Sequence, residues 1–138
     1  MKFILKKNID RELQLNGRTY LTGKLEKENN LKYISTISEE IGISKYNSFK
    51  YDKAHLHKWN NEINYVIKGE IKVYIFEEEK EYYFSEGDLF YIEPNMPYMT
   101  KCNDGTEVIF FKVPGGNDKQ EFDIQGNSSW INWTKKWD

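Results

Sequence analysis

Residues 54–62 read Ala-His-Leu-His-Lys-Trp-Asn-Asn-Glu and contain both histidines of the chain, His55 and His57. Successive side chains of a strand point to opposite faces, so a strand here places the two imidazoles on one face and Leu56 on the other. Glu62 follows where the next strand begins and brings a carboxylate to the same place. Two imidazoles and one carboxylate form a ligand set for a divalent metal, and this set suits Fe, Mn, Ni or Zn.

Short strand-forming runs follow one another along most of the chain. They are rich in β-branched or aromatic residues and are bounded by Gly, Asn, Asp or Pro, which is typical of a sandwich or barrel. In one run Ile71, Val73 and Ile75 alternate with more polar neighbours, as a half-buried strand requires. Gly69 marks a tight turn before that run. The predicted strands are 31–37, 42–51, 63–68, 70–76, 81–84, 89–93, 98–101 and 107–113.

The spacing around the histidines resembles the first sequence motif of the cupin family. That motif runs glycine, five residues, histidine, one residue, histidine, three or four residues, glutamate, six residues, glycine. His55, His57, Glu62 and Gly69 fall at those spacings, while Phe49 occupies the position of the first glycine. Only one landmark of the motif is therefore replaced.

A second stretch, 87–98, resembles the second cupin motif in a degenerate form. Glu93 replaces a proline, and Asn95 replaces a glycine, a mild change because asparagine tolerates the left-handed backbone that such a turn requires. Tyr98 occupies the position of the third metal-binding histidine of the family. Cys102 stands where the motif has asparagine, and we expect a buried thiol that fills the barrel.

The resemblance covers residues 45–114, about half of the chain, and implies an all-β fold. This fold is the cupin barrel, a double-stranded β-helix or jelly roll, with the ligand pocket inside the mouth of the barrel. We predict one domain overall, with the barrel core at 31–114. Short extensions flank the core: an N-terminal arm or short helix within 1–30, and a C-terminal extension at 115–138.

The two ends of the chain carry helical rather than strand patterns. Residues 9–15 predict a short helix or an arm. Trp130, Trp133 and Trp137 recur at intervals of three and four residues, which aligns them on one face of a C-terminal helix. We expect this face to pack on the barrel or on a second subunit, with ligand binding as the alternative.

The resemblance also suggests roles for individual pocket residues. We expect His55, His57 and Glu62 to hold the metal, with a hydrogen-bonded polar cluster without metal as the alternative. Glu62 and Tyr98 are the candidate catalytic residues. A phenol must lose a proton with a pKa of about 10 to become a strong ligand, so Tyr98 has three open roles: general acid, metal ligand or core tyrosine. Trp59 is the candidate substrate-binding residue at the pocket rim, and packing of its loop is the alternative.

The fold hosts many activities, so three functions stay open. The first is an isomerase or epimerase that acts on a sugar or sugar derivative, in which the pocket polarises a carbonyl and moves a proton at the adjacent carbon. The second is a metal-dependent dioxygenase. The third is a non-catalytic module that binds or senses a small-molecule ligand. We favour the first because the pocket offers His, Glu and Tyr but no obvious nucleophile.

Composition argues against several classes of partner. The 20 basic side chains nearly balance the 22 acidic ones and leave a formal net charge of -2, so nothing favours nucleic acid or an anionic membrane. No run approaches a membrane span, and the first residues lack the apolar run of a secretory signal. One cysteine, Cys102, cannot form an intrachain disulfide, which favours the cytoplasm. Exposed edge strands and the terminal tryptophans favour a homodimer.

Overall fold

The structure is a computed structural model that describes residues 1–138. It contains two helices, α1 (Lys6–Asn16) and α2 (Ser128–Trp133). The eleven strands are β1 (Arg18–Gly23), β2 (Ile34–Ser35), β3 (Glu40–Lys45), β4 (Lys50–His57), β5 (Asn61–Lys68), β6 (Glu70–Ile75), β7 (Lys80–Ser85), β8 (Leu89–Ile92), β9 (Tyr98–Cys102), β10 (Glu107–Val113) and β11 (Lys119–Glu121). None of the helices has the length and apolar character needed to cross a membrane.

The strands form two sheets that enclose the main core. Sheet 1 has the order β2-β1-β3-β10-β5-β8, and sheet 2 has the order β11-β4-β9-β6-β7. From β3 to β11 the chain changes sheet at every connection except the β6–β7 hairpin. All strand pairs are antiparallel except β1 with β2. This double-sheet arrangement is the predicted jelly roll.

Strand β6 confirms the alternating pattern of the sequence. Ile71, Val73 and Ile75 are buried and point into the main core, while the residues between them are half-buried on the other face. Gly69 forms the turn from β5 into β6 with φ of +84°, and a Cβ there would lie 2.6 Å from the Cα of Thr106. Only glycine fits that position, because the backbone is left-handed and the neighbouring chain is in contact.

Two apolar clusters lie on opposite faces of sheet 2. The main core lies between the sheets and consists of Val66, Ile71, Val73, Ile75, Phe90, Ile92, Tyr98 and Cys102. The outer cluster covers the opposite face of sheet 2 and consists of Ala54, Phe76 and Met99, against which Tyr74, Phe122, Ile124, Trp130 and Trp133 pack. The C-terminal segment therefore closes a face that the strands alone leave uncovered.

Two predicted strands differ from the observed ones. The predicted strand 42–51 is divided into β3 and β4, since the chain crosses from sheet 1 to sheet 2 between them. Asn47 and Ser48 lie at this crossing, and both residue types favour turns. The predicted strand 31–37 is reduced to β2, whose two residues pair only with the end of β1.

The N-terminal segment contains a strand that the sequence did not indicate. Helix α1 ends at Gly17, whose φ of 71° and backbone N–H to Leu13 form a left-handed C-cap. Strand β1 then pairs with β3, and its register shifts between Tyr20 and Thr22. This short strand begins with Arg18 and Thr19 and lacks the strong apolar alternation of β6, so its sequence pattern is weak.

The C-terminal helix is shorter than the tryptophan spacing predicts. Helix α2 ends at Trp133, so Trp137 lies outside it and the single helical face predicted for all three tryptophans is wrong. Asn127 caps the helix by accepting from the backbone N–H groups of Ser129 and Trp130. Trp130 packs edge-to-face on Phe76, with 4.7 Å between ring centroids.

Candidate metal centre and the adjoining cavity

The fold brings the four pocket residues of the sequence motifs together. His55 and His57 lie on β4, Glu62 begins the next strand β5, and Tyr98 lies opposite His55 on β9. His55, His57 and Tyr98 are 2%, 4% and 3% exposed, respectively. The possible ligand atoms of His55, His57 and Glu62 all lie within 4.8 Å of one another. The grouping expected from the spacing is therefore present in the fold.

Hydrogen bonds fix the orientation of both imidazoles. The Nδ1 of His55 lies 2.6 Å from the backbone oxygen of Lys53, and the Nδ1 of His57 lies 2.7 Å from Oδ1 of Asp118. These oxygens only accept, so each Nδ1 carries a hydrogen, and in the neutral form of each ring Nε2 keeps its lone pair. The Nε2 of His57 lies 3.5 Å from Oε2 of Glu62. Histidines held this way are typical of metal ligands.

Burial and hydrogen bonding shift the pKa values of the groups in the cluster. Loss of hydration lowers the pKa of His55 to about 4, which keeps its imidazole neutral, the form that binds metals. Burial also raises the pKa of Glu62. At Asp118 burial acts in the same direction, but hydrogen bonds from the amides of Asn60 and Trp59 and from His57 overcome it and lower the pKa. The donor set and its supporting hydrogen bonds fit a divalent ion.

Tyr98, which occupies the position of the third histidine of the family motif, is hydrogen-bonded to Glu62. Its hydroxyl donates a hydrogen bond to Oε2 of Glu62, and its ring centroid lies 4.4 Å from that of His55. Cys102 follows on the same strand face, and burial raises its thiol pKa to about 12. A neutral, buried thiol agrees with the expected packing role.

A small cavity lies beside this cluster, between the two sheets. It has a volume of about 40 Å³, and Glu62, Tyr98 and Arg18 are among its lining residues. A larger recess of about 510 Å³ shares Arg18 and Asp52 with it and opens to solvent. The imidazoles do not line the inner cavity, so Glu62 and Tyr98 form the boundary between the histidines and this cavity.

Trp59 lies in the connection between β4 and β5. Its side chain is 49% exposed and is not among the residues that line the inner cavity. Its backbone N–H donates to Oδ2 of Asp118. The structure therefore places Trp59 near the cluster through its backbone, and its role in substrate binding stays a prediction.

Sequence reasoning missed Asp118, which lies in a segment expected only to form a turn. Its side chain is completely buried, and it accepts from His57 and from the backbone N–H groups of Trp59 and Asn60 at 2.7 to 2.8 Å. One carboxylate thus holds an imidazole and the connection that leads to Glu62. No local motif marks it, because the pairing of β11 with β4 brings it there.

Comparison with known proteins gives a family match and a set of similar folds. The sequence model described as "Cupin domain" matches residues 48–114. This range contains His55, His57, Glu62 and Tyr98 and excludes Arg18 and Asp118. The chain matches no curated protein sequence.

Several solved structures share the fold. KdgF from Halomonas sp. is 21% identical with a TM-score of 0.54, over 60% of this chain and 74% of that chain. Pac13, described as a nucleoside dehydratase, is 15% identical with a TM-score of 0.55, over 63% of this chain and 70% of that chain. An RmlC-like cupin from Shewanella frigidimarina is 19% identical with a TM-score of 0.53, over 60% and 72% of the two chains. At these identities the likeness is one of fold.

Proposed function

We propose that this chain, which contains a small cupin domain, is an enzyme that moves a proton on a small-molecule substrate. More specifically, we propose an isomerase or epimerase that acts on a sugar or sugar derivative. The observation that carries the proposal is the hydrogen-bonded pair of Tyr98 and Glu62 at the wall of the inner cavity. A carboxylate and a phenol in contact at a cavity wall are suited to general acid–base catalysis.

His55, His57 and Glu62 are the residues that would hold a divalent metal such as Fe, Mn, Ni or Zn. Such an ion supplies Lewis-acid polarisation of a substrate oxygen. The chain contributes the fixed imidazoles, whose Nδ1 atoms are engaged by Lys53 and Asp118. It also contributes the buried setting, which limits the access of water to the cluster.

Proton transfer falls to Glu62 and Tyr98. A carboxylate has two oxygens, so Glu62 can serve as a ligand through one and accept a proton from a substrate carbon through the other. Tyr98 donates to Glu62 and is placed to return a proton to the substrate. Return to the opposite face of the same carbon gives epimerisation, and return to a neighbouring atom gives isomerisation.

Elimination is the second candidate, and it begins with the same proton abstraction. The similar fold of Pac13, a nucleoside dehydratase, favours this outcome, and a variant of the Streptomyces protein has been solved with uridine. The two candidates differ in what happens after abstraction: elimination expels a leaving group from the adjacent carbon. The product formed from a substrate therefore distinguishes them.

Deuterium exchange tests the proposal whichever product is formed, because both candidates begin with proton abstraction from carbon. Metal-loaded protein is incubated in deuterated water with a panel of aldoses, ketoses, sugar acids and nucleosides, and carbon-bound hydrogens are followed by proton NMR. We expect exchange at one carbon of at least one compound. Glu62→Gln should slow it by about 100- to 10,000-fold, the usual contribution of a positioned acid or base.

The matched control is Glu86→Gln, which removes an exposed carboxylate far from the cluster in sequence. It should exchange at the wild-type rate, and His57→Ala should exchange slowly. A compound that raises the melting temperature without any exchange or conversion contradicts catalysis and favours a binding or sensing module. Oxygen uptake with the iron-loaded protein would instead favour a dioxygenase.

A homodimer is also proposed, on the basis of one exposed edge. Strand β8 ends sheet 1, and its Leu89 and Tyr91 are 59% and 48% exposed on the same face. Tyr65 lies beside Leu89 on β5 and is 40% exposed. An open edge next to exposed aromatic side chains favours pairing between copies. Light scattering at micromolar concentration should give twice the mass of the chain, and a monomer would contradict the proposal.

A further inference from the structure

Arg18 occupies an unusual position at the mouth of the barrel. It begins β1, and its side chain lines both the inner cavity of about 40 Å³ and the outer recess of about 510 Å³. The residue nevertheless stays exposed to solvent. A ligand that enters from the recess therefore meets this guanidinium before it reaches the inner wall.

The guanidinium makes no salt bridge in the protein. Its Nε donates to Oγ of Ser44 at 2.8 Å, and its central carbon lies 4.8 Å from the ring centroid of Phe110. No carboxylate oxygen lies within 4.0 Å of it. The terminal N–H groups make no hydrogen bond to the protein. The positively charged guanidinium is thus positioned by one hydrogen bond, to Ser44, and by one cation–π contact, with Phe110.

Arg18 is the only basic residue among those that line the inner cavity. Lys112 lies 3.4 Å from a carboxylate oxygen of Glu40, and Lys119 lies 3.3 Å from one of Asp52. Both lysines line, together with Arg18, a separate surface recess of about 230 Å³. The arginine is therefore the basic side chain that a ligand in the inner cavity would meet.

We propose that Arg18 binds the carboxylate of the substrate, which makes the substrate a small organic acid such as a sugar acid. This inference rests on the proposed function, because Glu62 and Tyr98 line the same inner cavity. A guanidinium offers two parallel N–H groups that match the two oxygens of a carboxylate. Because Arg18, Glu62 and Tyr98 line one cavity, an acid held by this fork would lie beside the acid–base pair.

The position of Arg18 supports a planar, bidentate contact rather than a general attraction to anions. Its Nε is used by Ser44, and its plane is restrained beside Phe110, so the terminal N–H groups have a limited range of directions. Pre-organisation of this kind reduces the entropy lost on binding. A lysine at the same place would supply the charge without the fork.

Matched pairs of ligands test the inference. Glucuronate, lactate and gluconate are each compared with their own primary amide by isothermal titration against the wild-type protein. At least one acid should bind about 10- to 100-fold more tightly than its amide, as expected for a charge-assisted pair of hydrogen bonds. Arg18→Gln should abolish this preference, and Arg18→Lys should retain only part of it. Circular dichroism and melting temperature establish that each variant is folded.

The control is Arg11→Gln, which removes the only other arginine of the chain from the exposed side of α1. It should keep the wild-type preference. Glu62→Gln should also keep the preference while losing proton exchange, so binding of the acid and catalysis are measured separately. If no acid binds more tightly than its amide, or if folded Arg18→Gln keeps the preference, the inference is overturned even where exchange at Glu62 is observed.

Discussion

Tyr98 and Met99 are consecutive residues of β9, yet they belong to opposite faces of sheet 2. Tyr98 lies in the main core, where its hydroxyl bonds to Glu62 and its ring lies beside His55. Met99 lies in the outer cluster beneath Trp130 and Trp133 and is 1% exposed. The strand therefore serves a polar pocket on one face and a dry packing surface on the other.

The difference between the faces shows how a small barrel supports a buried polar cluster. The inner face keeps its polar groups hydrogen-bonded, which limits the cost of burying them. The outer face recovers apolar burial by means of residues 122–133, which lie outside the range matched by the cupin domain model. We infer that the inner face determines function and the outer face contributes mainly to stability.

The largest effect on stability is expected from Met99→Ala. Removal of a completely buried methionine leaves a cavity and should lower the free energy of unfolding by about 2–5 kcal/mol. Urea denaturation measures the change. Leu89→Ala, at a side chain that is 59% exposed, should change it little. Metal content should be unaltered in both variants. Loss of metal in folded Met99→Ala would show that packing on the outer face is needed for metal binding on the inner face.

The next effect concerns metal affinity and arises from Asp118. The Asp118→Asn variant weakens the support of His57 and should lower the affinity for Zn²⁺ by about 10- to 100-fold, as for other residues that orient metal ligands. Competition with a chromophoric chelator measures this affinity. Asp104→Asn, an exposed carboxylate, serves as the control. An unchanged affinity in Asp118→Asn would mean that His57 does not need this partner.

The sequence predicted the pocket residues of the inner face far better than the more distant residues that contact or adjoin them. His55, His57 and Glu62 lie in one local motif, so strand alternation predicts their grouping. Tyr98 was placed with them by the resemblance of its stretch to the second cupin motif. Arg18 and Asp118 lie about 40 and 60 residues from these histidines and arrive through strand pairing, which no local pattern encodes.

On the outer face, too, contacts between residues distant in sequence limited what could be predicted. The tryptophan spacing indicated a helix and packing, and Trp130 and Trp133 do pack against the barrel. The end of the helix before Trp137 could not be predicted, because tertiary contacts hold that residue instead. Its ring lies 4.6 Å from Nζ of Lys72, and such a contact overrides weak helical propensity.

A smaller effect is expected from Lys101→Met on the outer face. The Lys101 ammonium donates to the backbone oxygens of Trp133 and Lys136 and lies 4.2 Å from the Trp133 ring. Loss of these contacts should cost about 1–2 kcal/mol and loosen the C-terminal segment. Hydrogen exchange of residues 128–137 measures this loosening. Lys135→Met, at an exposed position, is the control, and equal protection in the two variants would contradict the role of Lys101.

The smallest effect on stability is expected from Tyr98→Phe. The ring is retained and only the hydrogen bond to Glu62 is lost, so the free energy of unfolding should fall by about 1 kcal/mol. Tyr91→Phe, at a tyrosine that is 48% exposed, is the control. Metal content should be retained in both variants. Loss of metal in Tyr98→Phe alone would show that the tyrosine is a ligand and not a partner of Glu62.

Metal stoichiometry tests most directly the claim that the inner face binds a metal and that the outer face is not needed for this binding. Elemental analysis is made of purified wild-type protein and of the His55→Ala, His57→Ala and Trp130→Ala variants, each shown to be folded by circular dichroism. We expect about one divalent ion per chain in the wild type and in Trp130→Ala, and none in either histidine variant. An ion retained without His55 or His57, or a wild-type protein that takes up no ion after loading, would contradict the account.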